Sequence, residues 1–264
     1  MGLITLLTDF GYRDNYVGVM KGVILSINPT AQIVDLTHGI QPQDILAARF
    51  NLLTSYEYFP ANTIHIVVVD PGVGTQRAVI AAQVAVPTGV QTIVAPDNGI
   101  LTGFPITAAA ALTNSAYWRT SQPSSTFHGR DIFAPAAAHL ANGISIEELG
   151  DVLSAHRLVS LGIGRSIATE RGYYGSIQYI DHFGNLVTTI SGASLTDQPW
   201  CVQLGGDMIP YCATYGNAKP GQRLALIGSH GYVEIAVNGG NAAVELNANL
   251  RDSVKLHLLG VLGS

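Results

Sequence analysis

Carboxylates recur at the ends of three apolar, β-branched runs in this 264-residue chain. Thr8-Asp9-Phe10-Gly11, Asp70-Pro71-Gly72-Val73-Gly74 and Pro96-Asp97-Asn98-Gly99 follow Leu3–Leu7, Ile64–Val69 and Thr92–Ala95. Short, nearly continuous apolar runs bounded by turn residues read as buried strands. In open α/β sheets ligands bind outside the carboxyl ends of the strands. These acids are therefore gathered along one sheet edge, and a ligand site is expected there.

Asp9 stands where a strand stops and a glycine turn begins. A carboxylate in that place can accept two hydrogen bonds from a vicinal diol, as acidic residues do for ribose in dinucleotide folds. It can equally cap the turn, and the sequence leaves both readings open. Neither GxGxxG nor a P-loop accompanies it, so a nucleoside bound here is expected to lack a phosphate chain. Arg77 follows Asp70 by seven residues across a tight turn. The two can meet either for chemistry or as an ion pair that fixes the loop. Thr126-Phe127-His128-Gly129-Arg130-Asp131 adds a histidine beside a glycine, before a helix whose N-terminus would favour Asp131. A His128 close to Asp70 could handle a proton near neutrality.

The elements that must hold these groups alternate. Strand 3–8, a helix over about 15–27, strand 32–36, a helix over 43–58 and strand 64–69 form βαβ units, which predicts a sheet mostly parallel at its centre. Val17, Met20, Val23, Ile24 and Ile27 share one stripe of the first helix. An alanine-rich helix over about 133–141 ends at Asn142-Gly143. Beyond a connecting stretch in 151–173 the pattern turns to short alternating runs such as Gly175–Ile180, Leu186–Ile190, Arg223–Ile227, Tyr232–Val237 and Val254–Leu258. The expected organisation is an N-terminal α/β domain over 1–160 and a C-terminal all-β domain, sandwich or barrel, over 161–264.

Composition narrows the partners. Charged residues are 12% of the chain and the net charge is −5, with three lysines, so no basic stripe exists to meet nucleic acid. An apolar fraction of 47% supports a filled core. It also suggests surface covered by other subunits, although a large core alone gives the same composition. Cys201 and Cys212 form no metal framework and no CxxC motif, and read as buried, reduced strand residues. No run approaches the roughly 20 apolar residues of a membrane span. A strand follows the first residues with no charged leader, so a cytoplasmic location is the expectation.

Taken together, TDFGxxDxYVGxxKG (Thr8 to Gly22), DPGVGTxR (Asp70 to Arg77), PDNG (Pro96 to Gly99) and TFHGRDIFAPAAA (Thr126 to Ala138) resemble one family. It is that of the adenosine-forming S-adenosyl-L-methionine (SAM) hydrolases, the SAM hydroxide adenosyltransferases. The likeness continues through Ile180-Asp181-His182-Phe183-Gly184-Asn185 and Gly228–Asn238, covering nearly the whole chain. It implies hydrolysis of SAM to adenosine and L-methionine by attack of water at C5′. SAM is then the substrate, with no cofactor and no metal. It further implies a homotrimer with the site between subunits. Asp9 would hold the ribose diol, and Asp70, Arg77 and His128 would position and activate water. Asp181 would meet the methionine amine, and Asn185 and Ser229 adenine or the methionine end. Glu234 and the backbone at Val237 would line adenine, with Phe127 and Phe183 as apolar walls or as core packing.

Fluorinating and chlorinating relatives share this likeness. They resemble Phe-Tyr-Ser, with a serine on the halide, where this chain has Phe127-His128-Gly129, and they carry a long inserted loop where it has the short turn Pro87–Gln91. Both departures favour water. The remaining alternatives are a halogenase of the same fold and an adenosine- or SAM-binding protein without turnover.

Overall fold

The computed structural model describes residues 2–195 and 199–260. By contacts the chain divides into two compact units, Met1–Leu161 and Gly162–Ser264.

In the first unit the apolar runs form a seven-stranded sheet in the order β2-β1-β3-β5-β4-β6-β7. The strands β1 (Leu3–Thr8), β2 (Gln32–Thr37), β3 (Ile64–Val68) and β5 (Gly89–Pro96) pair in parallel. The flank of β4 (Val79–Val86), β6 (Ile106–Ala111) and β7 (Val152–Leu153) is antiparallel, so the sheet is mixed, with its parallel half carrying the acidic turns. A two-residue turn, Pro87-Thr88, joins β4 to β5, since Val86 pairs with Gly89.

Helix α1 (Tyr16–Ile27) crosses between β1 and β2 and buries Val17, Met20 and Ile24, while Val23 and Ile27 pack at its margin. Fully burying such a side chain stabilises by roughly 1.5–3 kcal/mol. Asn28, which precedes Pro29, leaves helical geometry and ends it. Helix α3 (Ala134–Ala141) packs on α1, and its buried alanines allow the close approach.

The helix expected over 43–58 is shorter. Asp44 caps α2 (Ile45–Leu53) by accepting from Ala47 N at 2.9 Å. The hydroxyls of Thr54 and Ser55 then donate back to Phe50 O (2.8 Å) and Asn51 O (2.6 Å), and a single 3-10 turn follows over Tyr56–Tyr58. Hydroxyls that compete for helix carbonyls favour a break there.

A buried polar chain crosses the same sheet. The Thr5 hydroxyl meets His65 Nδ1 at 2.7 Å, and His65 Nε2 meets Gln91 Oε1 at 3.2 Å. Gln91 Nε2 donates to the Phe59 carbonyl at 2.7 Å. Because an amide oxygen only accepts, His65 carries a proton on Nε2. Burial lowers its pKa from 6.5 to about 4.

The strands of the second unit pair antiparallel, and one isolated parallel bridge joins Tyr211 to Ala225. β8 (Ile167–Thr169) pairs with β9 (Gly172–Ile180), and β10 (Leu186–Ser191), β11 (Trp200–Leu204), β12 (Asp207–Pro210), β13 (Arg223–Ile227), β14 (Tyr232–Val237) and β15 (Ser253–Leu258) complete the order β12-β11-β15-β9-β10-β14-β13. Its edges nearly close into a barrel, where Cys212 N donates to Ala225 O at 2.8 Å and Arg223 pairs with Asp207. Ile177, Leu186, Val202, Ile235 and Leu256 fill the interior. Cys201 is buried in β11 as expected, whereas Cys212 is half-buried just past β12, and both are free thiols. Among the described residues no helix is long and apolar enough to cross a membrane.

Candidate active site

The three acidic turns leave the parallel strands β1, β3 and β5 at their carboxyl ends, and two of them open on one cleft. Its volume is about 380 Å³, with Asp9, Phe10, Asp70, Val73, Phe127 and His128 among its lining residues. The third turn takes a structural part. Asp97 accepts from Val159 N at 2.8 Å, and Asn98 Nδ2 donates to Val69 O at 2.9 Å.

Asp9 accepts from the backbone N–H of Gln43 through Oδ2 at 2.8 Å. Gln43 lines the same cleft and holds a left-handed conformation, φ 69°. That conformation costs a residue with a Cβ roughly 1–2 kcal/mol. Composition and motif carried no sign of this residue, because αL strain at a non-glycine position has no sequence signature.

Asp70 and Arg77 form a buried pair, their side chains 4% and 9% exposed. Arg77 Nε donates to both Asp70 oxygens at 2.9 Å, and Nη2 donates to Oδ2 as well. Nη2 also donates to His128 Nδ1 at 2.9 Å. The order is thus Asp70–Arg77–His128, with the guanidinium between the groups that sequence reasoning set side by side. A guanidinium only donates, so His128 Nδ1 accepts and the imidazole proton sits on Nε2. Burial, and then the Arg77 charge, lower the His128 pKa below its usual value, against Asp70 and Asp131, which raise it.

Local structure explains how residues so far apart meet. Gly74 has φ 76°, and a Cβ there would lie 2.3 Å from Ser125 O, so the turn after β3 and the loop carrying His128 touch backbone to backbone. After His128 the chain makes a π turn over Gly129–Phe133, with Ala134 N donating to Gly129 O. Such turns recur at functional sites. A Cβ on Gly129 would meet Met20 Sδ and Phe127 Cε2, so this glycine serves packing against α1 as well as the cleft. Asp131 is stabilised by the guanidinium of Arg130, by Ser124 N and by Arg119, rather than by a helix N-terminus, and its pKa is held far below the usual range.

Phe127 is a wall of the cleft, edge-on to Phe10 (5.9 Å) and Tyr16 (5.0 Å). Among the described residues no His, Cys, Asp or Glu cluster of metal-holding size occurs.

The β unit carries a recess of about 440 Å³ lined by Phe183, Asn185, Tyr215, Val237, Asn238, Gly239 and Gly240. Phe183 is 71% exposed there, a wall open to solvent rather than core. Three other residues expected at a ligand stand differently. Asp181 Oδ1 accepts from the N–H groups of Phe183 and Asn185, and Oδ2 accepts from Asn185 Nδ2, so it shapes the turn that presents Asn185. Glu234 is buried, accepting from Tyr215 OH (2.5 Å) and facing His230 Nε2 (3.1 Å). Ser229 is exposed and lies outside the lining of this recess. Tyr215 is a lining residue that the motifs did not single out. Desolvation and Glu234 hold its hydroxyl protonated well above the ordinary range.

An α/β unit with an Asp–Arg–His chain at its strand ends, followed by a nearly closed β unit with a polar recess, defines a two-domain enzyme of α/β-plus-β-barrel build. The model of the SAM hydroxide adenosyltransferase N-terminal domain matches residues 4–150, and that of the C-terminal domain matches residues 175–255. The chain belongs to the SAM hydroxide adenosyltransferase family. It is 35% identical over 258 residues to a Salinispora tropica protein named (R)-S-adenosyl-L-methionine hydrolase, covering 96% of this chain and 97% of that one. A Thermus thermophilus protein of the same name is 36% identical over 97% and 99% of the two chains. A Nocardia brasiliensis fluorinase is more distant, at 26% over 96% of each. The crystal structure of an uncharacterized conserved protein from Thermotoga maritima superposes with a TM-score of 0.87 at 35% identity, over 96% of this chain and 99% of that one.

Proposed function

We propose that this protein hydrolyses SAM to adenosine and L-methionine. The observation that carries the reading is the Asp70–Arg77–His128 chain opening, through Asp70 and His128, on the same cleft as Asp9. The 35% identity to proteins named for that hydrolysis supports it.

Asp9 holds the ribose diol with the oxygen capacity that Gln43 N–H leaves. Water attacks C5′, the new O–C5′ bond forms as C5′–S breaks, and the sulfur keeps the electron pair as neutral thioether. A cationic sulfonium needs no further activation as a leaving group, so no cofactor or metal enters the step. The nucleophile is the weak partner. Asp70 takes its proton, since His128 Nδ1 is occupied and Nε2 already bears hydrogen. The Nε2–H of His128 and the Arg77 charge stabilise the developing hydroxide. A positioned base contributes roughly 10²–10⁴-fold, and holding the oxygen about 3 Å from C5′ adds an orientation term.

Asn185, Val237 and Phe183 supply the adenine and methionine side in the β unit, with Asp181 and Glu234 shaping that surface and Ser229 at its margin. The reading assigns the two half-sites to neighbouring copies of a homotrimer, a state that light scattering measures. The decisive experiment is incubation with SAM in ¹⁸O-water: label in the adenosine 5′-hydroxyl is expected. Unlabelled or absent adenosine overturns the reading, and 5′-halo-adenosine at high halide reassigns it to a halogenase.

A further inference from the structure

Phe127 and His128 occupy the corner of the cleft, and Asp131 N donates to Phe127 O at 3.3 Å. The loop that carries them leaves the fold at Arg119 and returns at Asp131. Arg119 N donates to Asp131 O at 2.9 Å, and Ser124 N donates to Asp131 Oδ2 at 2.9 Å. Asp131 is fully buried, and two guanidiniums flank it. They differ in what else they touch. Arg119 donates through Nε to Oδ1 at 2.5 Å and is 43% exposed. Arg130 donates through Nε to Oδ1 and Nη2 to Oδ2, each at 2.7 Å, and its guanidinium carbon lies 5.3 Å over the Phe127 ring. Such a fork is held in one plane by a carboxylate and is pre-organised to stack on an aromatic face.

We propose that Arg130 is a positioning residue: fixed by Asp131, it stacks over the Phe127 ring and so sets where His128 meets Arg77. This rests on the reading of His128 as a site residue. Phe127 is then confined by T-shaped contacts with Phe10 and Tyr16 and by Arg130 over its ring. Relaxing the last contact lets the Phe127–His128 corner move away from the Arg77 guanidinium.

The test compares Arg130→Lys with Arg119→Lys, both of which keep the charge and so leave the field of Arg77, Asp70 and Asp131 on His128 unaltered. Two readouts are needed: the titration of the His128 ring by NMR, assigned against His128→Gln, and kcat and KM for SAM. Arg130→Lys is expected to raise the His128 midpoint toward 6.5 and to lower kcat by about tenfold or more, with KM within about twofold, because a misplaced group loses rate rather than binding. Arg119→Lys, which disturbs Asp131 without touching Phe127, should leave both readouts near wild type. An unmoved midpoint in Arg130→Lys overturns the proposal, as does an equal effect of both variants, which would mean simple loosening of the loop. Wild type without SAM turnover would overturn the proposed function instead, and the titration would still decide the role of Arg130. If Arg130→Lys fails to fold, Phe127→Leu, which removes the stacking face, must shift His128 in the same direction or the proposal falls.

Discussion

Arg77 Nη2 donates to His128 Nδ1 at 2.9 Å while the same guanidinium holds Asp70. A protonated His128 would present N–H to N–H across that contact. The neutral imidazole is therefore the form that the folded site accommodates, and its pKa lies below the usual 6.5. We expect kcat/KM for SAM to fall as pH drops through a midpoint under 6.5. Arg77→Gln removes the repelling charge and should move that acid limb upward. A limb at or above 6.5 in wild type, measured by an adenosine-release assay across pH 4–8, would contradict this assignment.

Separating the Asp70–Arg77 pair should cost more than either partner's own interactions. Arg77→Met strands a carboxylate that is 4% exposed, which typically destabilises by about 3–5 kcal/mol. The double variant Asp70→Asn/Arg77→Met leaves no unpaired buried charge and should recover most of that loss. Urea unfolding of the single and double variants gives both numbers, and strict additivity would show that the pair is not coupled.

His65 predicts acid sensitivity unrelated to the site. Its folded pKa of about 4 lies below the unfolded 6.5, so the unfolded chain binds the extra proton between those values. Stability contributed by neutral His65 is complete above pH 6.5 and is lost as pH falls to about 4, by about 3 kcal/mol in total. His65→Gln should flatten this part of the stability-against-pH curve. A curve of unchanged slope in that variant would assign the acid loss to other groups.

Gly74→Ala should damage the site from the outside. The new Cβ would lie 2.3 Å from Ser125 O at φ 76°, and a backbone carbonyl cannot swing aside as a side chain does. The loop bearing His128 must shift, so we expect loss of about 2 kcal/mol or more together with a fall in kcat of at least about tenfold. Gly205→Ala, also at positive φ (58°) but with open space around it, controls for strain alone.

The strand ends are legible in the sequence because an apolar run followed by Asp and Gly is a local signal. The partner that each carboxylate takes is not local. Asp70 finds Arg77 as the spacing suggests, yet the second contact of Arg77 lies 51 residues on, through a π turn that no propensity announces. Asp181 and Glu234 show the converse. They read as ligand contacts by motif, and the partners they take within the chain, Asn185 N and Tyr215 OH, are ones that no motif announces. The hydroxyls of Thr54 and Ser55 cut the second helix short for a reason visible only as geometry. The mixed sheet likewise depends on a two-residue hairpin that forces β4 to run against its neighbours.

Gln43 offers its backbone, not its side chain, to Asp9, from a left-handed conformation. What selection can see at that position is therefore a torsion and an N–H. A saturation library at 43 scored for SAM affinity would rank residues by their tolerance of αL geometry, with glycine and asparagine near the top and β-branched residues low. Proline, which has neither the torsion nor the hydrogen, would be excluded, and polarity would count for little.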